Sequence, residues 1–261
     1  MVGISRRWTE VQANSYVLWQ LVRQQLILRY RRTVVGYFWT LINPLLMMSV
    51  TAIVFSALFK VPLREYSVFL FSGMIAWNSF SSTVSQSCQA IISNEGLIKK
   101  IYLPKILFPL AVSFGVAIDT LLSFLALFVI ILVLGGKFSL ALFVLPLSFL
   151  LLFIFSLGIG LVMSVVTVFF RDLVYIINVI LQAMFFLTPI MYDKTMLGGP
   201  AAFLMKINPL VAYVDLFRSP LAHGTLPSAT SFSLAFIFAI LSLLIGLAVL
   251  SANEKKLVYR L

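Results

Sequence analysis

Six long apolar runs set the terms for this chain, approximately Phe38 to Phe59, Tyr66 to Cys88, Ile106 to Leu134, Leu140 to Phe169, Leu173 to Met191 and Ser231 to Ala252. Each comes close to or exceeds the roughly 20 residues that a helix needs to cross the hydrocarbon core of a bilayer. Only 10% of the 261 residues are charged, against about 25% in a soluble domain. Too little polar surface is left to clothe a soluble body, so much of the exterior must face lipid. The predicted fold class is an all-α integral membrane protein with six transmembrane helices. The pieces between the runs are too short for an enzyme domain, so the energy source for any transport is expected in another chain.

The basic residues fix an orientation. With the N-terminus inside, thirteen of the 19 Lys and Arg residues fall in cytoplasmic segments and six (Lys60, Arg64, Lys137, Lys194, Lys206 and Arg218) fall outside. That is the asymmetry of the positive-inside rule, and it predicts that both termini are cytoplasmic. The net charge of +11 is then accounted for by an anionic leaflet. No nucleic-acid motif accompanies it, and no nucleic-acid partner is expected. The organisation expected is a cytoplasmic amphipathic segment over 1–37, a transmembrane domain over 38–252 with short external helices at about 192–230, and a cytoplasmic tail over 253–261. The N-terminus does not read as a cleavable signal, because Arg6, Arg7 and Trp8 lead into Gln- and Arg-rich sequence rather than a short apolar core.

At 100° per residue, Leu18, Trp19, Leu21, Val22, Leu26, Leu28 and Tyr30 share one broad face. Gln20, Arg23, Gln24 and Arg31 lie opposite, and Gln25 and Arg29 intrude on the apolar side. Two readings stand: a helix lying on the membrane surface, or a basic leader that only sets topology. In the first span, Pro44 after Asn43 removes a backbone donor and should bend or interrupt the helix. The second span turns polar from Asn78 to Gln86, which suits either interhelical hydrogen bonding or a wet passage. Asp119 is the only acid deep in an apolar run; a charge at mid-bilayer costs about 2.5–3.5 kcal/mol on insertion scales. A buried structural contact, with Ser123 or a neighbouring helix, is expected for it. The stretch 192–230 reads as two short helices, one starting near Pro200 and one capped by Asn208 with Pro209 at its first position. They either dip into the outer leaflet and cover the external mouth, or form an amphipathic loop on the lipid surface.

Enzyme chemistry finds no support. Gly135-Gly136-Lys137 lacks the rest of a phosphate-binding loop. One Cys (Cys88) and one His (His223) make neither a disulfide nor a multi-histidine metal site. The cytoplasmic connection Ser93 to Lys105 is more telling. Asn94 or Ser93 can cap a short helix bearing Leu97, Ile98 and Ile101 on one side, an apolar knob flanked by Lys99 and Lys100 and stopped by Pro104. A loop that merely supplies positive charge does not need that apolar knob.

Five tags occur in order along the chain. They are Arg29-Tyr30-Arg31-Arg32 followed by Gly36-Tyr37-Phe38-Trp39 and Asn43-Pro44; Asn94-Glu95-Gly96-Leu97-Ile98-Lys99-Lys100 with Leu103-Pro104; Phe170-Arg171-Asp172; Thr188-Pro189-Ile190-Met191-Tyr192; and Ile207-Asn208-Pro209-Leu210. In this the chain resembles the membrane subunit of ATP-binding-cassette polysaccharide exporters, nearest the O-antigen and teichoic-acid export permeases. The resemblance implies a homodimer in the bacterial inner membrane, served by two separate ATPase subunits that hold the ATP and Mg, with no cofactor in this chain. It implies that the leader, with Arg23, Arg29, Arg31 and Arg32, is an interface helix. Asn94 to Tyr102 would be the coupling helix, and the first and fifth spans of both copies would line a channel. Helices around Asn208 and Pro209 would gate it, and lipid-linked polysaccharide would be the cargo. Flat aromatic faces let a sugar chain stack and still slide, so Tyr37, Trp39, Phe185, Phe186 and Tyr192 are expected along the path, with Trp77 an additional possibility. The alternatives are a permease of the same class for teichoic acid, capsule, drug or haem, and a proton-coupled transporter that uses Asp119.

Overall fold

A computed structural model describes residues 9–29, 38–133, 139–196 and 198–260. Regular structure among these residues is entirely helical. In chain order the helices are α1 (Ser15–Arg29), α2 (Trp39–Phe59), α3 (Leu63–Ala90), α4 (Glu95–Lys100), α5 (Leu107–Val133), α6 (Leu145–Phe169), α7 (Leu173–Leu187), α8 (Gly199–Ile207), α9 (Leu210–Arg218) and α10 (Ala229–Arg260). Helices stand at all six apolar runs. Among the described residues, three stretches are long and apolar enough to cross a membrane: Leu107–Leu132, Leu140–Phe169 and Ala229–Leu257. Leu45–Phe59 and Leu173–Leu187 are apolar but shorter. α3 has 28 residues, and its Ser-rich second half lowers its hydropathy.

Several boundaries differ from expectation. α7 stops at Leu187 because Pro189 pushes the residue before it out of helical conformation; Thr188 is extended. α10 runs through Ala252 to Arg260 without a break. α2 stays helical across Asn43-Pro44, so the expected interruption is not seen. A proline that close to the helix start forfeits only the hydrogen bond to the Thr40 carbonyl.

α3 is the hub, packed against α2, α5, α6, α7 and α9. The closest helix pair is α6 with α10. A Cβ added at Gly158 would lie 2.3 Å from the Ser242 carbonyl carbon, and one at Gly246 would lie 2.5 Å from the Gly158 oxygen. The two glycines bring the backbones into direct contact, which is how helices associate where no hydrophobic effect drives them together.

Two apolar clusters occupy opposite ends of the bundle. One joins α1, the α3–α5 connection, the start of α5 and the end of α10 through Val22, Ile91, Ile98, Leu107, Leu250 and Leu257. The other joins α3, α6, α9 and the start of α10 through Leu70, Phe155, Tyr213, Phe217 and Ala235. Ser123 does meet Asp119, but its hydroxyl donates to the Asp119 backbone carbonyl (3.0 Å), an ordinary helical back-bond.

Candidate functional site

The structure gathers polar and aromatic side chains in three places. The first is a groove between α3 and α7 with a volume of about 720 Å³. Ser81, Ser82, Ser85 and Gln86 line one wall, Asn178 and Gln182 the other, with Trp77, Phe185 and Phe186 completing it. The Ser85 hydroxyl donates to Asn178 Oδ1 at 2.9 Å. None of the described lining residues is ionisable. The Ser-rich register of α3 divides by helical phase: Ser79, Thr83 and Ser87 turn into the bundle with Phe80 and Val84, and Ser81, Ser82, Ser85 and Gln86 reach the groove. On the inward face Thr83 bonds back to the Ser79 carbonyl of its own helix (2.8 Å) and Ser87 Oγ has no partner among the described residues, whereas on the groove face Ser85 bonds to another helix at Asn178.

The groove's aromatic wall continues inward. Phe186 meets Phe185 edge-on (centroids 5.5 Å apart), Phe185 meets Trp77 (5.5 Å), Trp77 meets Phe80 (6.2 Å), Phe80 stacks on Phe155 (5.4 Å) and Phe155 stacks on Tyr213 (4.8 Å). A continuous ladder of rings thus runs from the groove to α9.

The second place is the far end of the bundle, beyond α7. Here the chain from Thr188 to Tyr192 is held from several sides. Asn208 Nδ2 donates to Thr188 Oγ1 (2.9 Å), while its Oδ1 accepts from the Leu210 N–H (3.0 Å). The expected cap on α9 is therefore made, with Pro209 lying just ahead of the helix. Tyr66 donates to the Met191 carbonyl (2.7 Å). Arg218, only 5% exposed, donates Nη2 to the Ile190 carbonyl (2.9 Å) and lies 3.7 Å over the Phe69 ring. Its Nε is enclosed without an acceptor among the described residues. α9 itself is buried, with Tyr213 donating to the Ala235 carbonyl (2.7 Å). It is part of the core rather than a loop resting on lipid, because seven of its nine residues are sequestered. α8 is largely exposed, with Met205 its buried anchor.

The third place is the opposite end. α4 follows a 3-10 turn, Ile92–Asn94. Neither expected cap forms, since the Ser93 hydroxyl donates back to Gln89 (2.7 Å) and Asn94 Nδ2 to Ala90 (2.8 Å). Nor does one apolar knob project. Ile98 is buried and Leu97 packs beside it, anchoring α4, while Gly96, Lys99, Lys100, Ile101 and Tyr102 face outward. Six helical residues cannot place Leu97, Ile98 and Ile101 on one outer face while the chain's own core takes Ile98. The helix ends at Lys100, four residues before Pro104, where Ile101 turns extended. Lys99 pairs with Glu95. That hydrogen bond and the Lys99 charge, with a smaller contribution from Arg171, hold the Glu95 carboxyl below its ordinary range. Burial lowers the pKa of Lys105, whose Nζ donates to the Leu103 carbonyl (3.0 Å).

The family model for ABC-2 type transporters matches residues 16–222. The chain belongs to that family. The matched region takes in all three places just described. The chain is also similar to O-antigen export system permease protein RfbA of Klebsiella pneumoniae (28% identity over 241 residues, 92% of this chain and 91% of the relative). RfbA of Myxococcus xanthus is 28% identical over 221 residues, 82% of this chain and 83% of its own length. Polysialic acid transport protein KpsM of Escherichia coli is 27% identical over 234 residues, 87% and 89%.

In this ABC-2 transporter chain the residues expected along one aromatic path separate. Phe185 and Phe186 line the groove, joined by Trp77. Trp39 sits exposed on the first turn of α2 and is not among the described groove residues. Tyr192 belongs to the far end, its hydroxyl donating to the Phe186 carbonyl (2.6 Å). Tyr37, Arg31 and Arg32 lie outside the described residues, as does the side chain of Arg29. α1 packs on α5 with Leu21 and Val22 buried, whereas Trp19 points outward with Tyr16 and Arg23. Gln25 takes the inward position, since a Cβ at Gly115 would stand 3.2 Å from its Oε1. Sequence reasoning missed Arg218 and the Phe80–Phe155–Tyr213 ladder. The one available signal for Arg218 was a lone base at the end of an apolar nine-residue helix.

Proposed function

We propose that this chain is the permease subunit of an exporter that moves lipid-linked polysaccharide, O-antigen-like in kind, across the bacterial inner membrane. In this reading α2, α3, α5, α6, α7 and α10 are six spans with both termini cytoplasmic. Two copies form the conduit, and two separate ATPase subunits bind ATP and Mg and supply the drive. The observation that carries the reading is the α3–α7 groove, which offers hydroxyls, amides and ring faces without a charge. Ionic sites would trap a long polar chain, whereas weak hydrogen bonds and stacking let it slide.

Further observations support the rest. α2 leaves Leu46, Met47, Val50, Ile53, Val54 and Leu58 uncovered, and α7 leaves Tyr175, Val179 and Phe186 uncovered. These apolar faces suit a second copy, which would close the open side of the groove. α4 presents Gly96, Lys99, Lys100, Ile101 and Tyr102 to an ATPase, and α1 lies against α5 as the interface helix. The short helices α8 and α9 form the outer gate. The relatives' names supply the substrate class, and the match to the ABC-2 family supports a borrowed motor. Replacing the exposed Phe186 by Ala is expected to cut glycan export about tenfold, the loss of one stacking contact, at unchanged membrane levels of the complex. Normal export in that variant rejects the groove as the path.

A further inference from the structure

A second cavity, of about 510 Å³, lies at the end of the bundle opposite α4. Its size falls within the roughly 300–1,000 Å³ usual for small-ligand pockets. Phe59, Tyr66 and Phe69 form a run of rings along it, each centroid 6.0 Å from the next. Arg64, Glu65, Asp193 and His223 also line it. Its walls are tied by two bonds that span long stretches of chain, Tyr66 to the Met191 carbonyl and Ser139 to the Gly224 carbonyl (2.7 Å), while the Thr195 N–H donates locally to Asp193 Oδ1 (2.9 Å). Arg218 braces the same wall through Ile190. A cavity held in this way costs little ordering on binding.

From this chemistry we infer a saccharide-binding site that takes a pyranose unit of the outgoing glycan. A pyranose has an apolar C–H face and a belt of hydroxyls. The half-buried rings of Phe59 and Phe69 can receive the face, while carboxylates accept from the hydroxyls and guanidinium and imidazole groups answer their lone pairs. One Arg against Asp193 and Glu65 leaves the lining one charge negative, which suits a neutral hydroxylated ligand better than a strongly anionic one. The inference rests on the export reading above. It adds a holding point beyond the groove, where a chain that has emerged is kept from sliding back.

The test is photocrosslinking in cells that make the native glycan and contain the complete transporter, with benzoylphenylalanine placed at Val61 or Leu221 in the pocket, or at Phe186 in the groove. Glycan-bearing adducts are expected at all three positions while the ATPase is active. The pair His223→Ala with Glu65→Gln should lower the Val61 yield about tenfold, the loss that accompanies removal of polar contacts, without lowering the Phe186 yield. Glycan adducts at Phe186 with only phospholipid, or nothing, at Val61 and Leu221 overturn the pocket and leave the export reading standing. Glycan adducts at none of the three overturn both.

Discussion

Single atoms decide whether α6 and α10 can meet. A side chain at Gly158 would collide with the Ser242 backbone, which cannot swing aside as a flexible side chain could. Gly158→Val should therefore cost about 1–3 kcal/mol or more of overpacking strain, visible as a lower melting temperature and less protein in the membrane. Gly96 is the contrast, since nothing lies within 4 Å of a Cβ added there and Gly96→Ala should leave the melting temperature unchanged. Arg218→Leu removes the donor to the Ile190 carbonyl and should cost about 1–3 kcal/mol, the usual penalty for an unmade buried hydrogen bond. Thermal unfolding of the purified complex checks all three. Both glycines were visible in the sequence, but nothing in residue spacing says that one meets a backbone and the other open space. Arg218 was counted with the outer basic residues because charge counting reads side and not depth. Only the fold shows that the Phe69 ring and a peptide carbonyl shelter it.

Among the elements, the six apolar runs were legible because length and hydropathy depend on local sequence alone. The position of α9 was not. Leu210–Arg218 has the amphipathicity of a surface helix, and its burial against α3, α6 and α10 depends on partners remote in sequence. The same holds for α4, whose predicted apolar knob is used instead as an anchor at Ile98. That placement moves the expected ATPase contact to the outward residues. Lys99→Glu with Lys100→Glu should leave the permease folded and in the membrane while uncoupling ATP hydrolysis from export. Ile98→Ala should instead destabilise the fold by about 2–5 kcal/mol, as buried Ile truncations do. ATPase activity measured with and without glycan substrate separates the two outcomes, and coupled hydrolysis in the double Glu variant would exclude this surface as the contact.

For the whole molecule, the groove between α3 and α7 is lined by residues of these two helices, and both α2 and α7 leave apolar faces uncovered. The polar second span was legible in the sequence, while a channel lined by the first and fifth spans of two copies was what the family resemblance implied. Helical phase alone could not reveal that α3 shares the groove with α7. In a Cys88→Ser background, single cysteines at Ile53 or Val179 should form disulfide-linked dimers under mild oxidation, whereas a cysteine at Phe236 on α10 should not. The central claim is that this chain is a conduit whose motor is a separate protein. Its most direct measurement is glycan movement in proteoliposomes holding the chain with and without its ATPase. ATP-dependent movement with both and none with the chain alone is the expected result. Nucleotide hydrolysis by the chain alone, or uphill movement driven by a proton gradient, would contradict it.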